Sequence, residues 1–229
     1  AVWSFDEGEG ERAMDSSGNE NNGAIEGSIR WEKTDLPGGK GWALVFDGKK
    51  GSYVEVPHNP SLPPIRRESR KRFSTAFRRE SFTVSLWVWR DGDAAGQLIS
   101  RGNPMASSDG GYGLRIIRNP ARLQTVVSEP GRGGMSIIRR RMKKKPRQWL
   151  HIVQVFAHNG IDWSDSELYV NGELAGEYHG PYGGSFYTQN ALRIGSGFEG
   201  KVGKVTIFRN PLGPKQVEAL YGEGTGTDE

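Results

Sequence analysis

The chain has 229 residues, 33 of them glycine and 12 proline, too many turn residues for a helical protein and a composition that suits short strands joined by loops. Cysteine is absent, which excludes disulfides, thiol catalysis and Cys-ligated zinc, and no apolar run approaches the length of a membrane-spanning helix. The net charge of +4 hides a strong asymmetry: residues 66–80 carry +5 and residues 139–147 carry +7, leaving −8 for the rest of the chain.

The first strand-like block is AVWSFDEGEG (1–10), followed by the turn-rich DSSGNENNG (15–23). No signal peptide precedes Ala1, so the chain reads as a mature protein or a domain cut from a longer one. GWALVFDG (41–48) and SYVEVP (52–57) read as a hairpin-like pair across Gly48–Gly51. Four prolines, Pro57, Pro60, Pro63 and Pro64, then open an irregular excursion through the first basic segment, RRESRKRFSTAFRRE. SFTVSLWVWR (81–90) alternates cleanly, with Phe82, Val84, Leu86 and Val88 on one face and Thr83, Ser85, Trp87 and Trp89 on the other.

GQLISRG and YGLRII flank a loop containing Asn103-Pro104 and Asp109-Gly110-Gly111. The second basic segment, RRRMKKKPR, precedes the strand WLHIVQVFA (149–157). In SELYVNGELAGEY (166–178) the Asn171-Gly172 pair is a strong hairpin signal, because both turn positions need positive φ. ALRIGSG and GKVGKVTIF form a final pair before a short helix, PKQVEALYG (214–222), with Pro214 near its first position and Gly222 just past its end. These elements predict an all-β protein with hairpins, read as one domain spanning residues 1–229. The basic segments are read as loop insertions at about 61–80 and 131–148.

The ordered set WSFDEGEGERAMDSSGNENNG, GGKGWALVFDGKKGSYVEVP, SFTVSLWVW, GYGLRI, WLHIVQVF, ELYVNGELAG and LRIGSGFEGKVGKVTIF resembles the laminin-G-like jelly rolls of the concanavalin A-like lectin and glucanase superfamily. The likeness is greatest to bacterial laminin-G-like modules of large exported proteins. It implies two antiparallel sheets packed face to face, a first strand near Trp3 and Phe5 beside a last strand near Val205 and Ile207, and an exported, extracellular or cell-envelope location. Related jelly rolls often carry an Asp that helps hold a structural calcium where this chain has Gly203-Lys204. Calcium is therefore not expected in that usual place, since it needs several anionic oxygen ligands. Asp15, Asn19 and Asp47 are candidate ligands from a different set of loops, with simple Asx-turns as the alternative. No cofactor is required by this reading.

Glucanase relatives place carboxylates in E-x-D-x-E on one strand, which sets an acid and a nucleophile on one face. This chain lacks that motif, and its nearest cluster, Asp162, Asp165 and Glu167, reads as a solvated loop entering a strand. None of His58, His151, His158 and His179 belongs to a compact metal motif, and His151 is read as a packed strand residue. No G-x-S-x-G elbow occurs. The residues point away from catalysis.

Two binding surfaces remain. Trp163, Tyr178, Tyr182, Phe186 and Tyr187 are candidate sugar-stacking aromatics, set against a purely structural role for the same rings. Arg66, Arg67, Arg70, Lys71, Arg72, Arg78, Arg79, Arg139, Arg140, Arg141, Lys143, Lys144, Lys145 and Arg147 are candidate contacts to a polyanion, strongest if both segments project together. The expected function is a non-catalytic carbohydrate-binding or adhesion module of a larger parent protein. Its expected partner is a glycan, with acidic or sulfated polysaccharides favoured by the basic segments. A structural or protein-binding domain is the alternative. Nucleic acid fits less well, because stacking aromatics are sparse in the basic runs.

Overall fold

The computed structural model describes residues 1–63, 81–90, 95–104, 110–118, 120–129, 133–142, 147–158, 164–180 and 188–226. The described strands are, in chain order, β1 (Val2–Trp3), β2 (Arg12–Ala13), β3 (Gly23–Glu26), β4 (Arg30–Leu36), β5 (Gly39–Asp47), β6 (Tyr53–Val56), β7 (Phe82–Arg90) and β8 (Gly96–Gly102). They continue with β9 (Gly111–Ile117), β10 (Arg122–Glu129), β11 (Gly133–Arg141), β12 (Trp149–His158), β13 (Ser164–Val170), β14 (Glu173–Gly180), β15 (Leu192–Ile194) and β16 (Glu199–Phe208). One helix, α1 (Pro214–Thr225), follows.

The strands form two antiparallel sheets. Sheet 1 runs β14-β13-β12-β7-β16-β5-β4, with β1 added against β16, and sheet 2 runs β11-β10-β9-β8-β15-β6-β3-β2. Val2 and Trp3 pair with Thr206 and Val205, so the chain's first and last strands lie together as the resemblance implies. The period-2 pattern sets the core: Phe82, Val84, Leu86 and Val88 of β7 share one buried cluster with Val54, Val56, Leu114, Ile116, Leu123, Leu192 and Ile194 of sheet 2. Gln154 is fully buried but satisfied, accepting from Thr125 Oγ1 and donating to the Val155 carbonyl and Ser166 Oγ. A buried amide so fixed ties β10, β12 and β13 to one relative placement.

Three sequence expectations change. β5 and β6 are not a hairpin, for β5 belongs to sheet 1 and β6 to sheet 2, and the Gly48–Gly51 link crosses between layers. β15 and β16 likewise lie in different sheets. The helix does not stop before Gly222; it continues to Thr225 and is capped by Gly226 in the left-handed conformation. The Asn171-Gly172 turn is as expected, with φ of 54° and 80°.

Register also decides which loops share an end. Phe82 pairs with Phe156, and the Phe82 ring lies 4.8 Å from that of Tyr112, whose strand partner is Arg101. Ser81, Gly102, Gly111 and Gly180 therefore sit at one end of the sandwich. At the other end Arg90 accepts from Arg147 N–H through its carbonyl and reaches Met142 Sδ at 3.8 Å, beside the end of β11.

Candidate functional site

The outer face of sheet 2 gathers arginines from three adjacent strands. Gln97 of β8, Arg115 of β9, Gln124 of β10 and Arg139 of β11 occupy one row, and Ile117, Arg122 and Arg141 occupy the next. Each cation arises from the same alternation that sends Leu114, Ile116 and Leu123 inward, so the ladder is a product of sheet geometry. Gln124, only 2% exposed, accepts a 2.7 Å hydrogen bond from Arg115 Nε and fixes that guanidinium on the face. Burial first, and the charge of Arg139 second, push the Arg115 pKa below its ordinary value. Like charges that share one row of a sheet are stabilised by an anion that reaches both.

A neighbouring corner of the same sheet behaves differently. Arg193 forms an ion pair with Glu55 at 2.7 Å and lies 4.3 Å over the Tyr53 ring, so its charge is already compensated within the fold. Among the described residues Arg115, Arg122 and Arg141 make no such pair with a carboxylate. The planar fork of a guanidinium suits sulfate and carboxylate groups, since two parallel N–H donors can be offered at once.

Arg139, Arg140 and Arg141 are exposed, but they belong to β11 rather than to a loop, which corrects the insertion read at 131–148. An edge strand tolerates such a charge run because one of its sides faces solvent. Arg147 follows at the same end, with φ of 73°. Arg66, Arg67, Arg70, Lys71, Arg72, Arg78, Arg79, Lys143, Lys144 and Lys145 lie outside the described residues, as do Trp163, Tyr182, Phe186 and Tyr187. Tyr178 packs its ring against the core from β14. Pro63, the last described residue before the first basic segment, gives its carbonyl to buried Arg101, whereas the second segment leaves from Arg141 and returns at Arg147. The two segments are thus rooted at opposite ends of the sandwich.

Sequence reasoning missed Arg115 and Arg122, which stand singly within LRII and RLQ. Their signal was a cation on the outward alternation of otherwise apolar strands, readable only once the register of β9, β10 and β11 is known.

The candidate metal ligands do not come together. Asp15 sits beside β1, where its two oxygens accept from Val2 N–H, Ser17 N–H, Asn21 N–H and Asn21 Nδ2 at 2.7–3.1 Å. Burial works against the charged form, but these donors outweigh it and hold the carboxyl well below the usual carboxylate range. Asn19 donates to Ser17, and Asp47, paired with Lys49 at 2.9 Å, is held down to about 2 by that hydrogen-bonded partner. Asp15 is therefore a satisfied turn carboxylate, and a cation there would have to displace four N–H donors. The usual calcium position, at Gly203-Lys204, presents no side-chain oxygen.

Asp165, read in the loop that enters the strand, stands with Glu167 on β13, while Asp162 lies outside the described residues. Asp165 pairs with His179 at 2.8 Å, and Glu167 accepts a 2.6 Å hydrogen bond from the Tyr169 hydroxyl. Ser85 Oγ lies 2.8 Å from His151 Nε2, a distance that would suit a nucleophile and its base. Burial pushes the His151 pKa down to about 4, so the ring is a weak proton acceptor at neutral pH, and no carboxylate orients its Nδ1 among the described residues. The pair is better understood as packing and hydrogen bonding.

The laminin-G-like family model described as the concanavalin A-like lectin/glucanases superfamily matches residues 41–218. No curated protein sequence matches the chain. Among solved structures, domain 4 of an extracellular GH43 arabinanase from Geobacillus stearothermophilus, in complex with arabinotriose, superposes with a TM-score of 0.64 at 20% identity, over 96% of this chain and 97% of that one. The botulinum neurotoxin serotype D/C binding domain superposes with a TM-score of 0.67 at 15% identity, over 96% of this chain but 51% of that one. The binding domain of Paraclostridial Mosquitocidal Protein 1 gives 0.61 at 16% identity, over 93% and 50%. At such identities the likeness establishes the shared jelly-roll fold, and the family match over 41–218 goes further: the chain belongs to the concanavalin A-like lectin/glucanases superfamily as a laminin-G-like domain.

Proposed function

We propose that this chain is a carbohydrate-binding module of an exported protein, and that it grips an acidic glycan on the arginine ladder of sheet 2. The observation that carries the reading is the register that sets Arg115 and Arg139 on either side of Gln124 and Arg122 beside Arg141, which puts four arginines on one sheet face. A rigid sheet holds such donors with little ordering cost on binding. The structural neighbours support the coarser part, since one of them is a sugar-complexed domain of an arabinanase and others are toxin binding domains. The acidic character of the ligand rests on this chain's own arginines.

The test compares retention on immobilised heparin and on neutral arabino-oligosaccharide for the native chain and the Arg115→Gln/Arg139→Gln pair. Loss of about tenfold in heparin affinity in the variant, with an unchanged melting temperature, supports the reading. Equal heparin affinity in both proteins overturns it. If neither matrix retains the native chain, a protein-partner or structural role replaces glycan binding.

A further inference from the structure

On the opposite layer, the C-terminal half of α1 lies over the outer face of sheet 1 and leaves a cleft of about 290 Å³ beneath it. Its floor includes Ser85 and Trp87 of β7, His151 of β12, and Lys204 and Thr206 of β16; Leu220, Glu223 and Gly224 of α1 face them. A second pocket of about 240 Å³ continues past Trp87, Lys204, Glu223 and Gly224 toward Leu36 and Gly39. The roof is built to stay close: a Cβ on Gly224 would come within 2.6 Å of Trp87 Cζ2.

His151 marks the cleft as more than a packing gap. It is 1% exposed, stacks on Trp87 at 4.8 Å and beneath Tyr221 at 6.1 Å, and its Nε2 meets Ser85 Oγ. Its other ring nitrogen, Nδ1, is buried with no hydrogen-bond partner among the described residues. A buried polar atom left so costs free energy. The groups at the base of the cleft, Ser85, Thr206 and His151, are uncharged hydrogen-bonding groups, and burial keeps the imidazole neutral at physiological pH. The charged groups that line it, Lys204 and Glu223, are opposite in sign, stand on facing walls and form no ion pair with each other. Neither a cation nor an anion is selected by such a lining. Val2, Phe208, Leu220 and Trp87 supply apolar walls.

We propose that this cleft is a second binding site, separate from the arginine ladder, for one ring of an uncharged polyhydroxyl ligand such as a neutral monosaccharide. Its volume is at the lower end for small-molecule pockets, enough for a single ring and too little for an oligosaccharide. Alternating apolar faces and hydroxyl edges of such a ring match walls of this kind, with hydroxyls bonding Ser85 and Thr206 beside the His151 ring.

The test uses protein labelled with nitrogen-15 at histidine, titrated separately with D-glucose, D-galactose, L-arabinose and glycerol. The site is supported by a saturable shift of the His151 ring nitrogens with at least one of the four, weakened about tenfold in both Ser85→Ala and Thr206→Val. Thr206→Val keeps shape and removes one hydroxyl, so it reads binding even where Ser85→Ala perturbs packing. No saturable shift with any of the four, which is the behaviour of a merely hydrated cleft, overturns the proposal; so do shifts unaltered in both variants. Arg115→Gln/Arg139→Gln is expected to leave this titration unchanged and Ser85→Ala to leave heparin retention unchanged, so the two sites fail or stand separately.

Discussion

Arg101 Nη2 lies 2.7 Å from His58 Nδ1, and the guanidinium, with no exposed surface, also donates to the carbonyls of Leu62 and Pro63 at 2.6 and 2.8 Å. These acceptors of a buried cation are neutral, and through them Arg101 clamps the 58–63 loop to the end of β8. Arg101→Met is expected to lower stability by about 3 kcal/mol, because it leaves those acceptors unpaired. Denaturant unfolding checks this; a loss under about 1 kcal/mol would mean that water satisfies the loop equally well.

The same contact gives the fold an acid sensitivity. Burial and then the charge of Arg101 lower the His58 pKa, and burial lowers that of His151 to about 4. Both rings are held neutral in the folded state, while the unfolded chain takes up protons near pH 6.5. Their contribution to stability is thus level above about pH 7, falls as pH drops through 6.5, and for His151 continues to fall to about pH 4. The His151 contribution is about 3 kcal/mol over that interval. Unfolding midpoints measured across pH 4–8 should decline on the acid side, and a flat profile in the native chain would contradict the neutral state assigned to both rings.

Asn171 serves two purposes in the β13–β14 turn. It adopts a left-handed φ of 54°, and its Oδ1 accepts from His151 N–H at 2.9 Å while its own N–H donates to the His151 carbonyl at 2.8 Å. Asn171→Ala is expected to cost about 2 kcal/mol from the lost acceptor and the strained φ together, and Asn171→Gly less than Asn171→Ala. Equal losses in the two variants would remove backbone conformation from the account.

Gly195 has φ of 83°, and a Cβ there would lie 2.1 Å from Phe46 Cε1. Gly195→Ala must therefore displace a core ring and strain the backbone, with an expected loss of more than about 2 kcal/mol. Gly18, with φ of 79° and nothing within 4 Å of an added Cβ, is the control: alanine there meets only the conformational penalty of about 1 kcal/mol. A melting-temperature comparison of the two variants separates crowding from backbone strain.

The alternation in Phe82, Val84, Leu86 and Val88 was legible because one face of β7 meets the core. The crossing of β5 to β6 was not, since the period-2 pattern states which face is buried but not which sheet a strand joins. Gly48 and Gly51 suggested a hairpin, whereas Gly48 N–H in fact bonds the Phe198 carbonyl. At the helix, Gly222 looked like a terminator, yet the true cap is Gly226. Gly224 is explained by its approach to Trp87, a tertiary demand invisible to local capping rules. The RRR run at 139–141 stood out by composition, but its charge obscured its strand character. Arg115 and Arg122 became part of a site only through cross-strand register.

How the two cationic stretches are rooted decides how the molecule meets a charged surface. β7 separates the roots by nine residues, about 30 Å of extended chain, while electrostatic influence in physiological salt decays over about 8 Å. Contributions from near the two roots do not add. The two roots therefore act on a charged surface as separate patches, and the cations of β9–β11 lie nearer the Arg147 root than the Ser81 root.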